Sequence, residues 1–307
     1  SEKDLSALLS ELSNWGIKEI KGDFVIVSGN SKIKPHAPGT NPKDFTHSYG
    51  APITPLILDE NRVTVTVNPN EAGQMALVEY DTLEDSFIVD NKIKTVGKGR
   101  CGVSAKISRE NHLLLRGCIQ KNSQAIQLEI PISNPMRYAT AVIKHKIAAL
   151  DIKLLGKVLL TTKSAESMLL ASHSSKPITQ LMANTLKHSD NLYADSLFLH
   201  TAVNLNANVV SWQKAEEVVK DFLQKQTGIN MQKSVLIDGS GLSAHDLLTP
   251  QQTVSLLQYI YSHFPLAYEY ITALPIAGQD GTLLKRFRKP KQRGFLRAKT
   301  GTLTGVL

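Results

Sequence analysis

Cysteine is almost missing from this chain: Cys101 and Cys118 are the two among 307 residues. Two thiolates cannot close a four-ligand zinc site. The nine histidines supply neither a His-Glu-x-x-His motif nor a clustered pair, so no metal site is expected. Long apolar runs are missing as well. No stretch reaches the roughly 18 apolar residues that a membrane-spanning helix needs. No signal-peptide pattern opens the chain, which begins Ser1-Glu2-Lys3-Asp4. Internal repeats and low-complexity tracts are not found either. Acidic residues are scarce: 27 Asp and Glu stand against 35 Lys and Arg, for a net charge of +8. That imbalance suits a polyanionic partner such as nucleic acid, a membrane surface or an anionic wall polymer, and charge alone does not choose among them.

What is present reads as an ordinary globular chain, 42% hydrophobic and 20% charged, long enough for two or three domains. Leu5, Leu8, Leu9 and Leu12 recur at helical spacing before Gly16. Phe24 to Val27 reads as a strand. Residues 35–55, rich in Pro, Gly, Asn and His, read as an irregular loop. Val63, Val65 and Val67 alternate with Thr64 and Thr66, the pattern of a half-buried strand. Met75 to Tyr80, Ser86 to Val89, Gly102 to Ile107 and Leu113 to Ile119 continue in that style. A polar turn at 108–111 would fold the last two into a hairpin and bring Cys101 near Cys118. A disulfide, suited to an oxidising compartment, and a pair of buried free thiols both fit.

From Asn134 the period changes to helical, with Ala139, Val142, Ile143 and Ile147 on one stripe. Ile152 to Leu160 is predicted as a strand and Thr161 to Leu199 as helix-rich. Trp212, Ala215, Val218, Val219, Phe222 and Leu223 mark another helix, with Ser211 as N-cap and Gly228 beyond its end. Thr249-Pro250-Gln251-Gln252 is a capping box with proline at the first helical position. Gly294 to Leu307 returns to strand-like composition. The expected boundary falls near residue 160, between a β-rich module (1–160, of one or two subdomains) and a helix-rich one (161–307).

Two tripeptides stand out: Ser189-Asp190-Asn191, between helical segments, and Lys299-Thr300-Gly301, on the expected last strand. By chance each would arise with a probability on the order of one in twenty in a chain of this length. Together, in this order, they resemble two of the three signatures of penicillin-binding proteins and serine β-lactamases. The longer stretches narrow the resemblance. Ser189-Asp190-Asn191-Leu192-Tyr193-Ala194-Asp195, Asp238-Gly239-Ser240-Gly241-Leu242-Ser243, Leu274 to Leu283 and Lys299 to Val306 are similar to the penicillin-binding protein 4 type of D-alanyl-D-alanine carboxypeptidase/endopeptidase. The likeness covers nearly the whole chain and is strongest over 160–307.

The resemblance implies an α/β fold, with a partial penicillin-recognising, transpeptidase-like domain and inserted β-rich domains. It implies a serine peptidase that cleaves the D-Ala-D-Ala bond of peptidoglycan stem peptides through an acyl-serine, in the periplasm or extracytoplasmic envelope. β-Lactams would acylate the same serine, and no cofactor is called for. Ser189, Asn191 and Lys299 are the expected catalytic residues: Ser189 relays a proton to the leaving amine, Asn191 donates to the substrate backbone, and Lys299 supplies positive charge. Thr300, Gly301 and Thr302 are expected to bind substrate, the Thr300 hydroxyl taking its terminal carboxylate. Asp190 reads as a cap rather than a catalyst.

The third signature, Ser-x-x-Lys, is expected upstream of Ser1, and further strands and a closing helix beyond Leu307. Two Ser-x-x-Lys matches exist, and neither fits. Ser31-Lys32-Ile33-Lys34 precedes Pro35 in the β-rich module, and Ser211-Trp212-Gln213-Lys214 follows Ser-Asp-Asn and is better read as a cap. Ser240, flanked by glycines, lacks the strand–elbow–helix setting of a nucleophile. An inactive remnant or peptidoglycan-binding module is the rival reading, and a β-lactamase a second. The basic run Lys285, Arg286, Arg288, Lys289, Lys291, Arg293 and Arg297 has too few aromatics for a nucleic-acid module. It reads as a solvated loop or as attraction to anionic wall polymers and stem carboxylates.

Overall fold

A computed structural model describes residues 1–28, 33–83, 86–163, 165–206 and 211–302. The chain divides into two compact units: Ser1–Ser31 with Pro42–His173, and Lys32–Asn41 with Ser174–Leu307. The first is β-rich, the second helical, and the architecture is mixed α/β.

In the first unit, helix α1 spans Glu2–Asn14, opened by a capping box on Ser1 and Asp4. Gly16, at φ +71, turns the chain after it. Strands β1 (Glu19–Ile20) and β2 (Phe24–Val27) follow, and β3 spans Arg62–Asn68. The Val/Thr alternation of β3 is realised residue by residue: Val63, Val65 and Val67 are buried, and Thr64 and Thr66 are not. β3 is the centre of an antiparallel sheet between β4 (Leu77–Tyr80) and β8 (Ile126–Pro131). A second sheet sets β7 (His112–Gln120) between β5 (Ile88–Val96), parallel, and β6 (Val103–Ile107), antiparallel. Helix α2, Pro135–Ala149, is capped by Asn134. It presents Tyr138, Ala139 and Val142 to a core built with Val63, Val65, Ile93, Leu113 and Leu115. Its Ile143 and Ile147 join a second cluster with Leu9, Ile152 and Val158. Each fully buried aliphatic side chain here contributes about 1.5–3 kcal/mol.

The β6–β7 hairpin forms as expected, with Val103 opposite Gly117. Cys101 and Cys118 are joined as a disulfide, their Cα atoms 5.1 Å apart. Gly117 is required beside it, because a Cβ there would collide with the Gly102 carbonyl oxygen.

The expected strand at Ile152 to Leu160 is two short ones, β9 (Lys153–Leu154) and β10 (Val158–Thr161), pairing in parallel with β1 and β2. Gly156 divides them where the chain passes Gly22 so closely that a Cβ would not fit. Thr161 to Leu199 is helical only from Ile178. The described residues of 165–177, ending in Ser-Ser-Lys-Pro, hold no regular element, and Pro177 marks the helix start.

The second unit carries α3 (Ile178–His188), α4 (Asn191–Leu205), α5 (Trp212–Thr227), α6 (Pro250–Ser262) and α7 (Leu266–Ala273). α3 packs on α4 and α7, α4 on α5, and α6 on α7. The predicted caps are present: Ser211 accepts from the Lys214 amide, Gly228 ends α5 at φ +71, and Thr249 and Gln252 form the box that opens α6. The returning segment 33–41 is held here, with the Trp212 indole donating to the Lys34 carbonyl at 2.9 Å and the Ser243 hydroxyl to that of Pro38 at 2.7 Å.

One expectation at the chain's far end is corrected. Residues 291–295 are turns, and Ala298 to Thr302 form no regular element. A strand needs a ladder of partners. Among the described residues this segment finds only a short pairing with 275–277: the Ala277 amide donates to Leu296, and those of Gly294 and Ala298 donate to Ala277 and Pro275. The motif residues beyond Thr302 lie outside the described residues.

Candidate active site

The Ser189-Asp190-Asn191 turn is made by two helix ends meeting. Ser189 terminates α3 in the left-handed conformation, φ 57 and ψ 48. A non-glycine residue there is uncommon, and such backbone strain is typical of functional positions. Asp190 then caps α4, its Oδ1 accepting the Tyr193 amide at 3.0 Å. It is buried, which agrees with its reading as a cap. Asn191 becomes the first residue of α4, so Ser189 and Asn191 flank one tight corner. His188 is taken up locally, its Nδ1 3.1 Å from the Asn184 carbonyl oxygen.

The Lys299 segment meets this corner. The Lys299 ammonium donates to Ser189 Oγ at 2.7 Å and to the Thr300 carbonyl at 2.5 Å. Partial loss of hydration at this crowded position lowers the Lys299 pKa from the ordinary lysine value. The Thr300 hydroxyl donates to Thr282 Oγ1 at 2.9 Å. Gly301 and Thr302 follow, exposed, with the Thr302 hydroxyl donating to the Gly301 carbonyl.

Two further contacts hold the corner and the segment in register. Lys187, in the last turn of α3, donates to Asp280 Oδ2 at 2.6 Å and to the Leu274 carbonyl at 3.1 Å. Asp280 also accepts the Ile276 amide at 2.7 Å. Burial pushes its carboxyl pKa up, but the Lys187 bond, the Ile276 amide and the charges of Lys187 and Arg297 together outweigh this and hold it below the usual range. Gly281, at φ +53, rides against α3 so closely that a Cβ would meet the Lys187 carbonyl oxygen at 2.7 Å. On the other side, Asp195 lies one turn into α4. Its Oδ1 accepts the amides of Gly239 and Ser240, both at 2.9 Å. Burial, reinforced by the neighbouring Asp238 charge, pushes the Asp195 carboxyl up to about 7. Asp246, which accepts the Ile237 amide, is raised for the same two reasons.

A hydroxyl bonded to an ammonium of lowered pKa has the chemistry to pass a proton. The adjoining threonine, glycine and asparagine are neutral groups fit to receive a peptide end bearing a carboxylate.

The model of the D-Ala-D-Ala carboxypeptidase 3 (S13) family matches residues 1–307. The chain belongs to that family. It is 32% identical over 98% of its length to the D-alanyl-D-alanine carboxypeptidase DacB of Haemophilus influenzae, and spans 64% of that protein. The crystal structure of penicillin-binding protein 4 (dacB) from Haemophilus influenzae superposes with a TM-score of 0.84 at 31% identity, covering 99% of this chain and 68% of that one. A second structure of the same Haemophilus protein, complexed with a β-lactam, gives a TM-score of 0.77 at 31% identity over 98% of this chain and 66% of that one.

Of the residues singled out in sequence, Ser189 and Lys299 are in contact, Asn191 shares the Ser189 corner, and Thr300, Gly301 and Thr302 continue from Lys299. Cys101 and Cys118 lie in the β-rich unit. Ser211 is committed as a cap. Ser31 lies outside the described residues. Ser240 accepts the Leu242 amide within its own turn. Sequence reasoning passed over Lys187, Asp280 and Thr282. The signal for Asp280 and Thr282 was the stretch Leu274 to Leu283, noted for its resemblance, while its part in holding Thr300 needed the contact itself; Lys187, in α3, carried no such signal. Among the described residues no group of His, Cys, Asp and Glu could hold a metal ion, and no helix is long and apolar enough to cross a membrane.

Proposed function

We propose that the protein is a serine-type D-Ala-D-Ala carboxypeptidase/endopeptidase acting on peptidoglycan stem peptides in the periplasm or extracytoplasmic envelope. The observation that carries this reading is the 2.7 Å bond from Lys299 Nζ to Ser189 Oγ, which joins two motifs distant in sequence. A nucleophilic serine, which the family likeness assigns to a Ser-x-x-Lys segment, gives its proton to the lysine of that segment as it attacks the carbonyl between the two D-alanines. The Ser189 hydroxyl passes a proton to the departing amine and is resupplied from the Lys299 side. Asn191 donates to the substrate backbone, and Thr300 takes the terminal carboxylate. Free D-alanine leaves, and water releases the shortened stem from the acyl-serine. A β-lactam presents the same carboxylate and strained amide, so it acylates the same serine.

The test is to incubate the intact protein with a fluorescent penicillin and, separately, with a pentapeptide ending in D-Ala-D-Ala. Covalent labelling and release of D-alanine are expected. A folded protein that does neither overturns the proposal.

A further inference from the structure

The segment leading into Lys299 carries a surface that the acyl-transfer chemistry does not use. Between Leu284 and Ala298 stand Lys285, Arg286, Arg288, Lys289, Lys291, Arg293 and Arg297, and no acidic residue occurs from Gly281 onward. The six cations from Lys285 to Arg293 are exposed, and none of them forms an ion pair among the described residues. Arg297 differs, donating to the Ile271 carbonyl. The loop is nonetheless well anchored. Leu283 is buried at its start, the Gly278 amide donates to the Leu283 carbonyl, and the Gly294 amide closes the loop onto Ala277. Six like charges within nine consecutive residues repel one another. They are held together at a cost that an anionic surface would relieve.

The same loop exposes apolar side chains. Phe295 is 84% exposed, and Leu284, Phe287 and Leu296 are also on the surface. Phe287, Phe295 and Leu296 line a cavity of about 370 Å³ with Lys291 and Gln292. A soluble polyanion would engage the cations and leave the leucines and Phe295 in water. A lipid surface takes both: headgroup phosphates for the cations, and the acyl boundary for the apolar groups.

We propose that the loop 284–296 is a peripheral docking surface for anionic phospholipid, lying on the membrane face with its aromatic and aliphatic side chains at headgroup depth. The docking is independent of the peptidase reading.

The test is cosedimentation of the intact protein with vesicles of phosphatidylglycerol mixed with phosphatidylcholine, against phosphatidylcholine alone. Preferential binding to the anionic vesicles, weakened by salt, is expected. The variant Lys285→Gln/Arg288→Gln/Lys289→Gln/Lys291→Gln should lose affinity by about a hundredfold or more, at about fivefold per charge. Phe295→Ser/Leu296→Ser should lose about tenfold, retained at high salt. All six positions are exposed, so thermal melting should match the parent. A Phe295→Trp variant gives a second readout, a blue shift of its emission on adding anionic vesicles. Three results overturn the proposal: equal binding to both vesicle types, parental affinity in the quadruple variant, or no response to the lipid, either in binding or in the emission of the introduced indole. Charge-dependent binding that ignores the apolar variant, and that heparin or DNA displaces, would assign the patch to a soluble polyanion and also overturn it.

Discussion

If the Lys299–Ser189 bond is part of the acyl-transfer pathway, the two side chains must be energetically coupled during acylation and nearly uncoupled in stability. The perturbation is a double-mutant cycle of Ser189→Ala, Lys299→Met and the pair, made in the intact protein. A hydrogen bond to a charged group contributes about 1.5–3 kcal/mol, and a relay through it is lost when either end is removed. Each single variant should therefore slow acylation by a fluorescent penicillin by at least roughly 10- to 150-fold. The double variant should be little slower than the worse single one, because residues that act as a unit are not additive. Lys299 lies at the surface, so melting temperatures should move little. Its lowered pKa adds a second signature. The alkaline limb of the acylation rate should fall at a pH below that of an ordinary lysine and should vanish in Lys299→Met. Additive losses in the cycle, or a Lys299→Met variant with the parent's pH profile, would refute the relay.

Three further outcomes follow from the same geometry. Asp195, pushed up to about 7, holds its proton in the folded state at pH values where an unfolded aspartate has lost it. Its contribution to stability is therefore full below about pH 4 and lost as pH rises through about 7; Asp246, raised in the same direction, adds to that slope. Melting followed by circular dichroism should show lower stability at pH 8 than at pH 5, and Asp195→Asn should flatten the difference. Gly239→Ala should destabilise the second unit by about 1–3 kcal/mol. Its Cβ would lie 2.5 Å from the Ala194 carbonyl oxygen and 2.6 Å from Phe198 Cβ, and denaturant unfolding measures the loss. Ser211→Ala should cost about 1 kcal/mol as a lost helix cap and leave penicillin labelling intact. Abolished labelling in a folded Ser211→Ala protein would make that serine the nucleophile.

Where local rules decide, the elements were legible. β3 follows from five alternating residues, Val63 to Val67, because one buried face imposes a period of two. α5 and α6 follow from Ser211, Gly228 and the Thr249–Gln252 box, because caps satisfy amides within one turn. β5 was legible only at its start. Asp90, Asn91, Lys92 and Lys94 disguise a strand that pairs with β7 from Ile88 opposite His112 to Val96 opposite Gln120. Strand composition at 294–302 misled for the opposite reason: a strand is a property of its partners, and there the pairing is limited to a few bonds with 275–277.

The amino-acid order by itself determined the family, since Ser189-Asp190-Asn191, Lys299-Thr300-Gly301 and the stretches around them are short patterns that survive without knowledge of any contact. It also determined the helix ends that bend the chain at Ser189. Only the tertiary structure decided that Lys299 reaches Ser189, that Lys187 and Asp280 hold that meeting in register, and that residues 33–41 return to pack with Trp212 and Ser243. Caps and periodicities act over one or two turns of chain, where the covalent backbone fixes the distances. A 2.7 Å bond between residues so far apart in the chain depends on how every intervening helix packs, and no local pattern encodes that sum.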